Sequence, residues 1–341
     1  MQHTPDCIRS WVQQQPETPD YDKLYQQSME ALSTYPHERE YLLAFAAFFL
    51  ARANKGAQAI EHCRQYLPAL TVAECINDMT HTLTRALEDA GDIEGAIGVL
   101  EEHIAKVEDP YHTYIDIMEL SVQVKDHDRT IKYGVLVTQD NFCDAEVYEW
   151  MAQAYEAKKQ YVESHDCLVK AAQAVPDSTS WLWSNAGRAL ALADQVDEAM
   201  FYFKMALKIN PENEMAHYYM GQSYQNKEDV YRALHHYTEA LKLKPDFPEV
   251  YNNLAAISYH ENSNISEAIS NLEKALQASP DKNLLTRLYI NLVRLYKSIA
   301  DYEREEYYKD KMMEALGFGG FDIDDDGEDP DIEDEDSDLL N

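Results

Sequence analysis

Asp322, Asp324, Asp326, Gly327 and Glu333 have the types and spacing of a calcium-binding loop. Carboxylates at alternate positions can wrap a hard cation, the glycine permits a sharp turn, and the last glutamate can close the shell with two oxygens. Such a loop needs a helix on each side. Gly317, Gly319 and Gly320 break the entering one, and the eighth loop place is Asp329, followed by Pro330. The expectation is therefore no metal site, with Asp322, Asp324, Asp326 and Glu333 left as a set for weak, unspecific cation binding.

Other chemistry fares no better. The run GFGG, residues 317–320, leads into acid instead of a helix start with lysine, so it cannot cradle a phosphate. His235 and His236 are adjacent and point about 100° apart on a helix, which does not suit shared ligation. Cys7, Cys63, Cys75, Cys143 and Cys167 form no C-x-x-C pair, which argues against a disulfide framework or a zinc site. Serine nucleophile elbows are absent. These readings predict a non-catalytic chain without cofactor.

The 341 residues carry a formal charge of −33, and residues 322–338 hold twelve carboxylates with no Lys or Arg. A surface of that sign disfavours nucleic acid and favours a basic protein or peptide. From Gly317 onward the chain has too little apolar surface to order itself and reads as a disordered acidic tail.

What positions any site is a recurrence. Trp183–Pro211 returns 34 residues later as His217–Pro245: Gly187 becomes Gly221, Leu190 becomes Tyr224, Ala199 becomes Ala233, Phe203 becomes Tyr237, Ala206 becomes Ala240. Glycine on a first helix and alanine on a second let the two close, small facing small. The aromatic residues four places on share the alanine face and project between neighbouring hairpins. The prolines then stop the second helix. The small residues Ala96, Thr130, Ser164, Ala199, Ala233 and Ala268 keep the phase, with units beginning near Asn77, Tyr111, Ala145, Ser180, Glu214 and Pro248. A further unit near Thr286 has Glu305 in the small slot and a largely polar last helix, as a capping unit should. Upstream, residues 40–73 fit with Ala47 against Ala59 and Cys63 in the bulky slot. The run LLAFAAFFLA reads as deeply buried, and residues 5–38 fit loosely through Trp11, Leu24, Ala31 and Pro36.

This order and spacing resembles the tetratricopeptide repeat (TPR) family. The resemblance implies an all-α fold: a right-handed α-solenoid of about eight to nine TPR-like helical hairpins. Residues 1–39 would form a degenerate N-terminal cap, 40–316 the solenoid, and 317–341 the tail. In such proteins the first helix of each hairpin lines a concave groove, and places two, five, six and nine of each unit do the binding. The sixth places are Trp150, Asn185, Tyr219, Asn253 and Asn291. Three asparagines of five suggest an amide ladder that grips an extended peptide backbone, since an amide both donates and accepts. Trp181, Arg188, Tyr218 and Gln222 flank it, and Arg287, Arg294 and Lys297 would form a local basic patch suited to an acidic peptide. A carboxylate clamp of the chaperone-binding kind is not expected, because Tyr218, Gln222 and Asn291 stand where Lys, Asn and Arg are needed.

The expected function is a cytoplasmic protein-binding adaptor, with no signal peptide in MQHTPDCIRSWVQQQ and no membrane-spanning run. Two alternatives stay open: an acidic chaperone or buffer for a basic protein, and the targeting subunit of an enzyme encoded elsewhere.

Overall fold

The computed structural model describes residues 19–140, 144–175, 180–260 and 263–317. Trp11, Pro16, Cys7, Cys143, Pro176, the acidic tail and its candidate cation residues lie outside these. Every regular element among the described residues is helical. The chain divides into two compact units, residues 1–160 and 161–341.

In the first unit, α1 (Tyr21–Thr34) lies against α2 (Arg39–Arg52). Three hairpins follow: α2 with α3 (Gly56–Tyr66), α4 (Ala73–Asp89) with α5 (Ile93–Ile104), and α6 (Tyr111–Gln123) with α7 (His127–Val137), and α8 (Ala145–Ala157) lies against α7. Leu42, Leu43, Ala46, Ala47, Phe49 and Leu50 of α2 are buried, while Phe45 is half-buried and Phe48 exposed, so the run expected to be deeply buried keeps one open edge. In the second unit α9 (Tyr161–Ala174) lies against α10 (Ser180–Leu192). The hairpins are α10 with α11 (Val196–Ile209), α12 (Glu214–Asn226) with α13 (Val230–Leu243), α14 (Pro248–His260) with α15 (Ile265–Gln277), and α16 (Lys282–Ser298) with α17 (Tyr302–Leu316).

One backbone device recurs in these turns. Five places before the small residue of each second helix the chain enters the left-handed region, at Asn54, Gly91, Lys125, Lys159, Asp194, Glu228, Ser263 and Ala300. The next residue sends its amide back across the turn, as Asp92 does to Leu87 O at 2.9 Å and Asp229 to Tyr224 O at 2.9 Å. In five hairpins that same residue caps the second helix: Asp92, Asp126, Asp229, Asn264 and Asp301 each accept from the amide three residues on. Closing one helix and opening the next thus takes three residues in most of these hairpins, which is what keeps the period short.

Packing revises the expectation that small faces small. A Cβ on Gly187 would meet the Phe203 ring at 2.5 Å, before the Ala199 carbonyl at 3.0 Å, and one on Gly221 would meet the Tyr237 ring at 2.5 Å. The glycines make room for the aromatic ring four places beyond the alanine. Hairpin α6–α7 reverses the arrangement, with Met118 on the first helix and Gly134 on the second, where a Cβ would lie 2.5 Å from Met151 Cγ and 3.1 Å from Met118 Cε. Between hairpins, Lys158 pairs with Asp128 and Lys227 with Asp197, at equivalent repeat positions.

Two first helices are a turn longer than expected. α4 begins at Ala73 and α16 at Lys282, each four residues ahead of the repeat start. Asp281 caps α16, while Glu40 of α2 accepts from the amides of Thr71 and Val72, both at 2.7 Å, at the mouth of α4. In the last hairpin Glu305 is buried in the small slot, its charge met by Lys309 at 3.1 Å, and Tyr296 stacks on Tyr308.

Candidate peptide-binding groove

Four successive first helices of the second unit, α10, α12, α14 and α16, together with the start of α11, line a cleft of about 430 Å³. Six residues of the expected site meet there: Arg188 from α10, Tyr218, Tyr219 and Gln222 from α12, Asn253 from α14 and Arg287 from α16. Glu249 and Asn252 join them. The repeat register already held these two, since it places Glu249 second and Asn252 fifth in their unit.

The back of the cleft is built by aromatic stacking and a short polar chain. Tyr219 stacks on Phe203 at 5.4 Å, and Tyr218 packs against Phe247 at 5.0 Å. Asn253 Nδ2 donates to Tyr237 Oη at 3.1 Å, and that hydroxyl donates to Gln225 Oε1 at 2.8 Å. Burial first, then the neighbouring Glu249 carboxylate, push the Tyr218 phenol well above its usual range, against the pull of Asn253 and the Arg287 guanidinium. Tyr237 is raised by burial as well, with Asn253 opposing. Both hydroxyls stay neutral, so they act as hydrogen-bonding groups. The rim carries two guanidiniums against one carboxylate.

The remaining expected residues lie elsewhere. Asn291 is only 4 % exposed and spends its amide on Asn252 Oδ1 at 3.3 Å, so it does not face a ligand. The ladder therefore breaks at its last rung, because α16 packs that position against α14. Asn185 is half-buried and outside the cleft lining, and Trp181 is exposed at the start of α10. Arg294 is half-buried and Lys297 exposed at the far end of α16, neither lining the cleft. Trp150 is half-buried in the first unit.

The histidines and a buried cysteine considered above can be placed too. His236 Nδ1 lies 3.1 Å from His217 Nδ1, whose Nε2 lies 3.1 Å from Pro211 O, while the His235 ring stands edge-on beside His236. Burial, with His217 and His235 nearby, depresses His236 to about 4. Among the described residues no group of three or more His, Cys, Asp or Glu could hold a metal ion. Cys63 fills its slot with no exposure, and burial pushes its thiol up to about 12.

A stack of phased helical hairpins presenting a lined cleft is a protein-binding scaffold of the helical-repeat class. The family described as "Anaphase-promoting complex, cyclosome, subunit 3" has a model that matches residues 193–275. "Anaphase-promoting complex subunit 6" of Arabidopsis thaliana is 24 % identical over 208 residues, 59 % of this chain and 38 % of that protein. "Protein O-mannosyl-transferase TMTC3" of Homo sapiens is 27 % identical over 133 residues, 35 % of this chain and 14 % of that protein. The chain thus spans well under half the length of these curated relatives. The solved C-terminal part of a TPR repeat-containing protein from Cytophaga hutchinsonii superposes with a TM-score of 0.52 at 17 % identity, covering 69 % of this chain and 98 % of that one. With the repeat register and its turns, these matches support a TPR-type helical-repeat fold for this chain.

Proposed function

We propose that this chain is a non-catalytic, cytoplasmic adaptor that holds an extended segment of a partner protein across the first helices of its second unit. The observation carrying this reading is the convergence of Arg188, Tyr218, Tyr219, Gln222, Asn253 and Arg287 on one cleft. Flat aromatic walls, amides and guanidiniums on preformed helices suit a peptide whose backbone is read by amides and whose side chains fill pockets. Two cations against one carboxylate favour an acidic or amide side chain at this point of the ligand, although the net charge of −33 favours a partner that is basic elsewhere. Nucleic acid and membrane are not proposed partners, and no helix among the described residues is long and apolar enough to cross a membrane.

The test is affinity capture with the Arg188→Glu, Gln222→Ala, Arg287→Glu triple variant, whose changes avoid the aromatic wall. Loss of the partner captured by the wild type is expected; undiminished recovery contradicts the groove.

The similarity to a protein named as a complex subunit favours a second reading, in which this chain is one subunit of a larger assembly. Native mass measurement of the purified material would then show stoichiometric partners that persist in the triple variant.

A further inference from the structure

A cleft of about 340 Å³ opens within the first unit between the second helices α3 and α5, over α4. The next seam along, between α5 and α7, shows what would close it. There Arg129 of α7 reaches back to Glu94 at 3.3 Å and Glu101 at 3.7 Å, and Tyr133 donates to Glu101 Oε1 at 2.9 Å. A cation and an aromatic ring from one second helix thus cover an acid of the helix before it.

The α3–α5 seam has the same repeat places with the opposite contents. Counting from the small residues Ala59, Ala96 and Thr130, the places of Arg129 and Tyr133 hold Gly95 and Val99 in α5, and the place of Glu101 holds Arg64 in α3. The filler is removed, and the charge that it would meet is reversed. Gly98 widens the gap: it stands where α7 has Lys132, and a Cβ there would meet nothing within 4 Å. A mid-helix glycine costs helix stability, and unlike Gly134, Gly187 and Gly221 this one relieves no internal collision.

Lys106 adds a second cation to the lining, Pro68, Leu83 and Val99 make it apolar between, and Glu102 is its one acid. Arg64 and Lys106 are both exposed, and neither forms an ion pair among the described residues. The buried floor is already paired, with Thr80 Oγ1 3.4 Å from His103 Nδ1. What this seam lacks is therefore an acid and an apolar filler, and a ligand that carries both completes it. The net charge of −33 repels such a ligand at long range, but that field is screened beyond about 8 Å at physiological salt and the local cations decide the contact.

We propose that the α3–α5 cleft binds an acidic segment of a partner protein, its carboxylates meeting Arg64 and Lys106 and an aliphatic side chain entering beside Gly98 and Val99. The site belongs to the second helices of the first unit and is independent of the peptide groove.

Fluorescence anisotropy of the full chain with a labelled peptide of alternating glutamate and leucine tests it, against a glutamate and serine peptide of equal charge. The leucine-containing peptide should bind saturably and the serine-containing one more weakly, since only the first can fill the apolar lining. Arg64→Glu should weaken binding roughly tenfold, because a like charge then faces the ligand, and raised salt should weaken it too. Gly98→Phe, which fills the cleft, should do the same, while Gly98→Ala should hold or raise Tm. The Arg188→Glu, Arg287→Glu variant, changed only in the peptide groove, should bind the peptide as the wild type does. The proposal is overturned by absent saturation, by equal binding of the two peptides, by binding that survives both Arg64→Glu and Gly98→Phe, or by binding lost in the Arg188→Glu, Arg287→Glu variant. A Gly98→Ala protein of lowered Tm also overturns it, because the glycine then has a packing role instead.

Discussion

Hairpins α6–α7 and α10–α11 solve one packing problem from opposite sides. In α10–α11 the first helix gives way at Gly187 and the second supplies Phe203; in α6–α7 the first supplies Met118 and the second gives way at Gly134. What the repeat conserves is the summed volume at the contact, together with the three-residue turn that sets its phase, and not the residue at either place. The fillers also differ in kind. Phe203 is rigid and has no exposure, whereas Met118 and Met151 are flexible and can adjust.

Emptying the slot should produce the largest effect. Phe203→Ala is expected to cost about 3–5 kcal/mol in denaturant unfolding; a loss near the size of a surface change would mean that the ring is not the keystone of its hairpin. Next, adding one methyl to the emptied side should separate the two hairpins. The added Cβ starts 2.5 Å from a neighbouring carbon in both. Gly187→Ala should cost about 1–3 kcal/mol against the rigid ring. Gly134→Ala should cost less than about 1 kcal/mol, because a methionine can move aside while alanine favours the helix. Equal costs would erase the distinction.

The repeat period, the buried α2 run and the small residues of the second helices were legible in the sequence, because each follows from spacing and size alone. The exchange at Met118 and Gly134 was not, since glycine in a bulky slot reads as a defect until its opposite residue is known. Asn291 was misplaced for a related reason. Sequence phase puts an amide on a helix face, but only the neighbouring Asn252 shows that the amide is already spent. Six of the twelve expected groove residues converge on one cleft, and the two that were missed, Glu249 and Asn252, obey the same register.

Acid should stress both units through histidines that partial or full burial holds neutral. Burial lowers the pKa of His62 and His103 in the first unit, and lowers that of His236 in the second to about 4. A depressed histidine binds its proton in the unfolded chain first, so stability is full above the unfolded value near 6.5 and is lost as pH falls. For His236 the loss runs from about pH 6.5 down to about 4. His236→Phe should flatten that part of the stability profile in pH-dependent chemical unfolding, and an unchanged slope would remove His236 from the account.

The smallest effect falls on the turns that both kinds of hairpin share. Lys159→Gly and Glu228→Gly should each add about 0.5–1 kcal/mol, because glycine enters the left-handed region without a Cβ penalty, and Gly91→Ala should lose a similar amount. Differential scanning calorimetry should show opposite shifts for the two directions of change.

The central claim, that first helices of the second unit receive a partner's extended segment, is tested most directly by hydrogen–deuterium exchange on the full chain with and without the partner it captures. The account predicts protection concentrated on α10, α12, α14 and α16 around Arg188, Gln222, Asn253 and Arg287. Protection confined to the second helices, or absent from the second unit, would contradict it.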